Sequence, residues 1–511
     1  MKKILNVLIV ALGVSMLFAS CKKEVLDTAP AGALSGAEIF GDSQKAQSAV
    51  DGIYRMMYSN GWSANWAHEN PGLAGFTIVR SLMGEDHFMY SQGQGWFYFD
   101  YCLNTTSDWT STSGRQYATW NLFYTLISQA NYVTDAEESL KKDKVGQNVL
   151  GQAYAIRAFA YYCLYESFCQ GNYTANKDKP GVPIYTKGTN KDTEGVGRGT
   201  IEGLFKQING DFEKSVGYFT SGGQTQSHPS HIDLYTAYGL WARAALGQQD
   251  YDRAGKCAEE ALKKPGLERV LGMSELGKFN NRNMKDVLWA FEITADQAGL
   301  YGSFISHMAK DGTYGSRGPQ CIDYWLYEDG MSDTDERRAW GEEVLVKDKA
   351  GKVVDNYYVN NKFGYANATT GVADMINMRA EEMLITLAEC KCRKGEYADA
   401  RALLEELYAK RYTATRDISS LTDSDEVSLD THMAPVTLID EILLQRRIEL
   451  WCEGMGRVPD LRRLNLGYSR SERQPKLGQT DAKPNDPRFI FKIPLKEFDS
   501  NTALDMSKDQ N

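Results

Sequence analysis

LIDEILLQRRIELWCEGMGRVPDLRRL, Leu438 to Leu464, joins helical periodicity to an unusual placement of charge. Leu438, Ile439, Ile442, Leu443, Leu450 and Trp451 recur at helical spacing, and no Pro or Gly intervenes before Gly454. The first part therefore reads as a helix that runs through Trp451. Arg446, Glu449 and Glu453 fall three to four residues apart and share one of its faces. Beyond Gly454 and Gly456 comes a second set, Arg457, Asp460, Arg462 and Arg463. Alternating signs beside an apolar stripe predict a paired network under a neighbouring layer, because buried charge is tolerated only when paired and hydrogen-bonded. A solvated helix face is the alternative; Trp451 and the leucines argue against it.

Working outward, two separated segments share one design. Leu234, Ala237, Tyr238, Trp241, Ala242 and Ala245 form an apolar stripe, Gly247 to Asp250 a turn, and Tyr251, Ala254, Cys257, Ala258 and Ala261 a second stripe. Leu384, Leu387 and Ala388, a turn at Lys394-Gly395-Glu396, and Tyr397, Ala400, Leu403, Leu404 and Leu407 repeat it, the second stripes with identical offsets from their leading Tyr. Helices apolar on one side need a covering neighbour, and equal repeats cover one another. Gly151, Tyr154, Ala155 and Phe159 are reminiscent of a tetratricopeptide helix. The predicted fold is mainly α: a tetratricopeptide-like helix-pair superhelix with long loops and a few short strands. Helix pairs are expected near 120–171, 233–262, 378–410 and 438–464. A first helix is expected over Asp42 to Tyr58, a helix N-cap at Thr200 and a buried strand over Asp286 to Ile293.

Loop insertions are expected at 59–117 and 265–375. The first holds Trp62, Trp66, Trp96, Phe97, Tyr98, Phe99, Tyr101 and Trp109 among Gly, Ser, Asn and Thr, and Gly299 to Trp325 is rich in Gly and aromatics. A sugar ring offers an apolar C–H face and a rim of hydroxyls. Flat aromatic side chains cover the face, and Asn, Asp, Arg and Lys pair with the rim. Loops can expose such residues where core helices cannot. The candidates are Trp96, Tyr98, Trp109, Tyr314 and Trp325, with Arg80 and Asp86 as polar partners.

Other chemistries find little support. The chain has 511 residues and a net charge of −10, which argues against nucleic acid or an anionic membrane surface as partner. No phosphate loop, dinucleotide fingerprint or G-x-S-x-G is present, so no cofactor is expected. His228-Pro-Ser-His231 lacks the Glu of a zinc helix, and Cys390 and Cys392 have no second pair, so no metal is expected. Glu85 and Asp86 adjoin, and neighbouring carboxylates cannot face one glycosidic bond from opposite sides.

The chain opens with Lys2 and Lys3, an apolar run from Ile4 to Phe18, then Ala19, Ser20 and Cys21. The run is too short to span a bilayer and reads as an export signal over residues 1–20. Small residues before a Cys resemble a bacterial lipoprotein processing site, with a tether over 21–35.

Several motifs in order resemble the SusD/RagB family. Arg446, Arg447, Glu449, Leu450, Glu453, Gly454, Arg457, Asp460, Leu461 and Arg463 fit its C-terminal signature, with Gly456 inserted and Pro459 where an aromatic is common. Trp120, Tyr124, Ile127, Ala130 and Asn131 fit its W-x-x-x-Y-x-x-I-x-x-A-N helix, and Phe491 to Asn501 fits its I-P-x-x-E ending. The resemblance implies a single nutrient-binding domain over 36–511, lipid on Cys21 and attachment to the outer membrane at the cell surface. It also implies a non-catalytic role: capture of an oligosaccharide and delivery to a SusC-like TonB-dependent transporter, over which the protein acts as a lid. A surface-anchored all-α glycoside hydrolase and a repeat scaffold for proteins or peptides are the alternatives.

Overall fold

The computed structural model describes residues 39–62, 67–104, 112, 114–190, 192–223, 228–299 and 301–511. The leader, Cys21, Trp66 and Trp109 lie outside the described residues.

The fold is mainly α. Helix α1, Ser43–Met57, starts at Asp42, whose carboxylate accepts from the amides of Gln44 and Lys45 at 2.9 and 3.0 Å. Helix α2, Leu73–Leu82, is buried along its whole length. This corrects the reading of 59–117 as mostly loop. LAGFTIVRSL is short, follows Asn70, Pro71 and Gly72, and starts without a capping side chain, so the local signals of a helix start are missing.

Helices α3, Gly114–Asp135, and α4, Lys144–Phe168, form the first pair. From Asn148 to Phe168 every residue of α4 is buried, so this helix is the axis of the core. Helix α5, Ile201–Gly222, is capped by Thr200 as predicted, its hydroxyl accepting from Gly203 N at 3.1 Å. It crosses α4 where Gly151 leaves room for the Phe219 ring; a Cβ there would lie 3.0 Å from that ring. Arg157 of α4 clamps Asp211 of α5 at 2.8 and 2.6 Å and donates to Asn131 of α3 at 2.8 Å. Three helices thus share one buried ion pair.

The repeated stripes form α6, Leu234–Gly247, with α7, Tyr251–Ala261, and α8, Ala380–Arg393, with α9, Tyr397–Tyr408. The two pairs stack through α7 and α8, so each covers the other's apolar side. Helix α10, Leu438–Glu449, packs on α8, and α11, Val458–Arg463, follows it.

Helix α10 ends at Glu449, two residues short of the predicted Trp451. Lys362 Nζ donates to the carbonyls of Glu449 and Trp451 at 2.8 and 3.1 Å, satisfying groups that a longer helix would have bonded internally. Trp451 Nε1 donates to Asp86 O at 2.8 Å.

Within the 265–375 insertion the predicted strand is present as β2, Val287–Phe291, which pairs antiparallel with β6, Met375–Arg379. A second, antiparallel sheet has the order β1-β3-β5-β4, from β1 His87–Met89, β3 Gln320–Ile322, β5 Val353–Asn360 and β4 Gly341–Lys347. His87 lies opposite Ile322 and Met89 opposite Gln320, so the two aromatic-rich segments are stitched together by a ladder. No helix of the described residues is long and apolar enough to cross a membrane.

Candidate functional site

Just beyond the β1–β3 ladder the two segments bring their rings together at the surface. Trp96 stands edge-on to Tyr314 with ring centroids 5.9 Å apart, and His68 lies 5.4 Å from Trp96, 5.7 Å from Tyr314 and 6.2 Å from Tyr301. Tyr301 is 58% exposed; Trp96 and Tyr314 are half-buried. The His68 imidazole and the Tyr314 hydroxyl are hydrogen-bonded.

The scaffold beneath is rigid. His307 stacks under Tyr314 at 4.9 Å, meets Phe97 edge-on at 4.8 Å and donates from Nε2 to His68 O at 2.8 Å. Burial pulls its pKa down to about 3, so it is a neutral imidazole at physiological pH. Phe97 adopts φ 63°, in the left-handed region. Its amide donates to Glu69 Oε1 at 2.7 Å, and Arg115 lies 5.0 Å over its ring. Arg115 also bonds Glu69 O at 2.6 Å, Asn70 Oδ1 at 2.7 Å and Asp100 Oδ2 at 2.8 Å. These contacts hold a strained residue in place, and the kink separates Trp96 outside from Phe97 and Tyr98 inside.

Two glycines permit the convergence. Gly93 has φ 55°, and a Cβ there would lie 2.8 Å from Gly318 Cα. Gly302 has φ 68° and lies against His68, whose Cα a Cβ would meet at 3.2 Å. Side chains at either position would push the loops apart.

Of the sequence candidates, Trp96 and Tyr314 share this cluster. Tyr98, Arg80 and Asp86 do not face a ligand: they are 6%, 0% and 3% exposed. Tyr98 packs on Tyr101 at 5.9 Å, and Arg80 donates to Phe489 O at 3.0 Å beneath the Phe491 ring. Asp86 is held by Arg447. Trp325 stacks on His432 at 5.3 Å and on the Arg447 guanidinium at 5.2 Å, away from the cluster rings. Trp109 lies outside the described residues. His68, His307 and Tyr301 were not singled out by sequence; only Gly299 and Gly302 around Tyr301 marked a loop tip.

The charges of the opening stretch form a buried lattice. Glu449 accepts from Arg411 at 2.8 Å through each oxygen, from Arg379 at 3.1 Å and from Arg337 at 3.2 Å. Burial alone would raise its pKa; the arginines hold it well below the usual range. Glu453 bonds Arg379 twice at 2.8 Å and pairs with Lys362. Arg446 does not join them. It bonds Asp460 at 2.9 Å, which also accepts from Arg463 at 2.8 Å. The expected single face is therefore divided: Arg446 turns to Asp460 of α11, while Glu449 and Glu453 share Arg379. Arg457 holds Glu85 at 2.9 Å. This lattice joins the turn after α2 to α8, α10 and α11, and the carboxylates of Asp86, Glu382, Glu453 and Asp460 that line the small cleft beside it are paired with arginines.

A SusD family model matches residues 329–505, and a model described as starch-binding associating with outer membrane matches residues 63–246. Together they take in more than half of the chain.

The chain belongs to the SusD family.

Its relatives include a SusD-like protein of Bacteroides ovatus, 22% identical over 302 residues. That match takes in 56% of this chain and spans only about half, 49%, of the relative's length. A SusD-like carbohydrate binding protein from Bacteroides vulgatus superposes with a TM-score of 0.75 at 19% identity, over 91% of this chain and 97% of that one. Surface glycan-binding protein A from Bacteroides thetaiotaomicron superposes with a TM-score of 0.66 at 16% identity, over 93% and 99%. At such identities the likeness establishes the SusD fold.

Both departures from the SusD signature have local explanations. The inserted Gly456, φ 71°, lies against α2, where a Cβ would come within 2.6 Å of Ser81 N. Pro459 stands in the first turn of α11, where a missing amide hydrogen costs no helical bond.

Proposed function

We propose that this SusD-family protein captures a nutrient oligosaccharide on the surface of the outer membrane, without cleaving it. The observation that carries the reading is the exposed ring cluster of Trp96, Tyr301 and Tyr314. Rings from two distant segments, fixed from below by His307 and Arg115, offer a preformed apolar shelf, and the polar edges of His68 and Tyr314 adjoin it. Preformed shelves bind sugar rings without a large ordering cost. The family description and the glycan-binding and carbohydrate-binding structural neighbours support the same ligand class.

The adjacent acids are occupied elsewhere. Glu85 would be raised by burial, yet Arg457 and Arg447 pull it down to about 2, so it carries no proton to donate. This favours capture over hydrolysis. Lipid on Cys21 would anchor the protein, and a TonB-dependent transporter would receive the ligand beneath it as beneath a lid. Calorimetry with a panel of oligosaccharides, run beside a reducing-end assay, tests the reading. Saturable heat without new reducing ends is expected; product formation, or silence with every saccharide, overturns it.

A further inference from the structure

A second cavity, of about 480 Å³, opens on the other side of the Arg115 turn. It lies between α3, residues 185–190 and 193–195, and a C-terminal helix α12, Leu495–Ser500. Its volume falls in the range of small-molecule sites. None of the cluster rings lines it.

The wall from α3 is aromatic. Tyr117, Trp120 and Tyr124 occupy successive turns, with Trp120 and Tyr124 4.6 Å apart and Tyr185 edge-on to Tyr124 at 6.2 Å. The facing wall is polar. Lys496 Nζ lies 4.2 Å above the Tyr117 ring. Glu497 accepts from Trp120 Nε1 at 3.2 Å and from Asn501 Nδ2 at 2.9 Å. A carboxylate offers about four acceptor positions, so these two bonds orient Glu497 without exhausting it. Tyr124 donates its hydroxyl proton to Pro183 O at 2.8 Å, which leaves its oxygen free to accept. Ser128 and Thr189 bond each other across the floor at 2.9 Å.

We propose that this cleft is a second saccharide site, taking one or two rings of a neutral sugar. The charge balance selects the class. Glu497 is the single acid and Lys496 the single base among the described lining residues. An anionic ligand would press on the carboxylate and a cationic one on the ammonium. An aliphatic chain would strand the amides and hydroxyls of the facing wall without partners. A neutral polyol places its C–H face on Tyr124 and its hydroxyls on Glu497, Asn121 and the Lys496 ammonium that Tyr117 holds from below. One oligosaccharide long enough to reach both sites would bind with greater avidity than either site gives alone.

The test isolates the cleft from the ring cluster. Ligand-observed saturation-transfer NMR is recorded with neutral oligosaccharides of glucose, galactose, mannose, xylose and arabinose on the full chain. The protein is the Trp96→Ala/Tyr301→Ala variant, and thermal melts verify its fold. At least one saccharide is expected to keep its transfer signal. Adding Tyr117→Ala and Lys496→Ala is then expected to weaken that binding about tenfold or more. Glu497→Gln, which keeps one acceptor for Trp120 but turns an amide toward Asn501, is expected to weaken it, with thermal melts verifying that the variant is folded. If Trp96→Ala/Tyr301→Ala alone removes every signal seen with wild type, the cleft is not a saccharide site, while capture by the cluster stands. If wild type itself gives no signal, both readings fall.

Discussion

Arg447 and Asp86, 361 positions apart in the chain, meet in a two-point grip: Nη2 to Oδ1 at 2.6 Å and Nε to Oδ2 at 3.0 Å. The pair ties α10 to the turn after α2, and both side chains are buried. Arg447→Ala leaves the buried Asp86 carboxylate with Arg457 alone, at 3.4 Å, and is expected to cost roughly 3 kcal/mol. Replacing both residues with Leu is expected to cost far less. Urea unfolding of the single and double variants measures the difference. Saccharide affinity of the folded Asp86→Asn protein is expected to match wild type, since Asp86 does not reach the surface.

The cluster rings are expected to behave in the opposite way. Tyr301→Ala removes an exposed ring, so the melting temperature stays near wild type while saccharide affinity falls about tenfold, equivalent to about 1.4 kcal/mol. Trp96→Ala is expected to lower affinity likewise, with some loss of stability because this half-buried ring also packs on the core. Tyr98→Ala, two residues along, is expected to lower stability through a lost core ring. Calorimetry beside thermal melts separates the two classes.

Gly93→Ala tests whether the loops must touch. The new Cβ meets Gly318 at 2.8 Å in a left-handed backbone conformation, which costs about 1–2 kcal/mol for the conformation alone. Weaker saccharide binding is expected together with a shift in Trp96 fluorescence, because the Trp96 loop is displaced from Tyr314.

The acid limb of stability is expected to depend on Glu85. Its pKa lies near 2 in the folded protein against an ordinary 4.5. A depressed carboxylate adds stability that is complete above 4.5 and lost as pH falls through about 2. Wild type should therefore lose stability steeply between these values. Glu85→Gln should be less stable at neutral pH and show a shallower fall, read from unfolding curves at each pH.

Cys21→Ala tests the anchor. The variant is expected to fold and bind saccharide as wild type does, while leaving the membrane fraction and losing incorporation of labelled palmitate. Failure to fold would argue against a simple tether.

Much of the helical frame was legible because its elements carry local signals: apolar stripes, turns and caps. The offsets after Tyr251 and Tyr397 and the hydroxyl of Thr200 are local signals that survive in the folded chain. Helix α2 was not legible, since it is short, follows Asn70, Pro71 and Gly72, and has no capping side chain. Arg80 and Asp86 were misjudged for a related reason. Their polarity suggested exposure, and the partner that admits Asp86 to the interior comes from the far end of the chain.

Sequence by itself determined the helix pairs, their stacking, the two aromatic-rich segments and the family. Periodicity and motif order are properties of neighbouring residues. Only the tertiary structure decided which rings face water. Trp96, Phe97 and Tyr98 are consecutive and chemically alike, and one left-handed residue sends the first outward and the other two into the core. That conformation is held by Glu69 and Arg115, contacts made across the fold rather than along the chain.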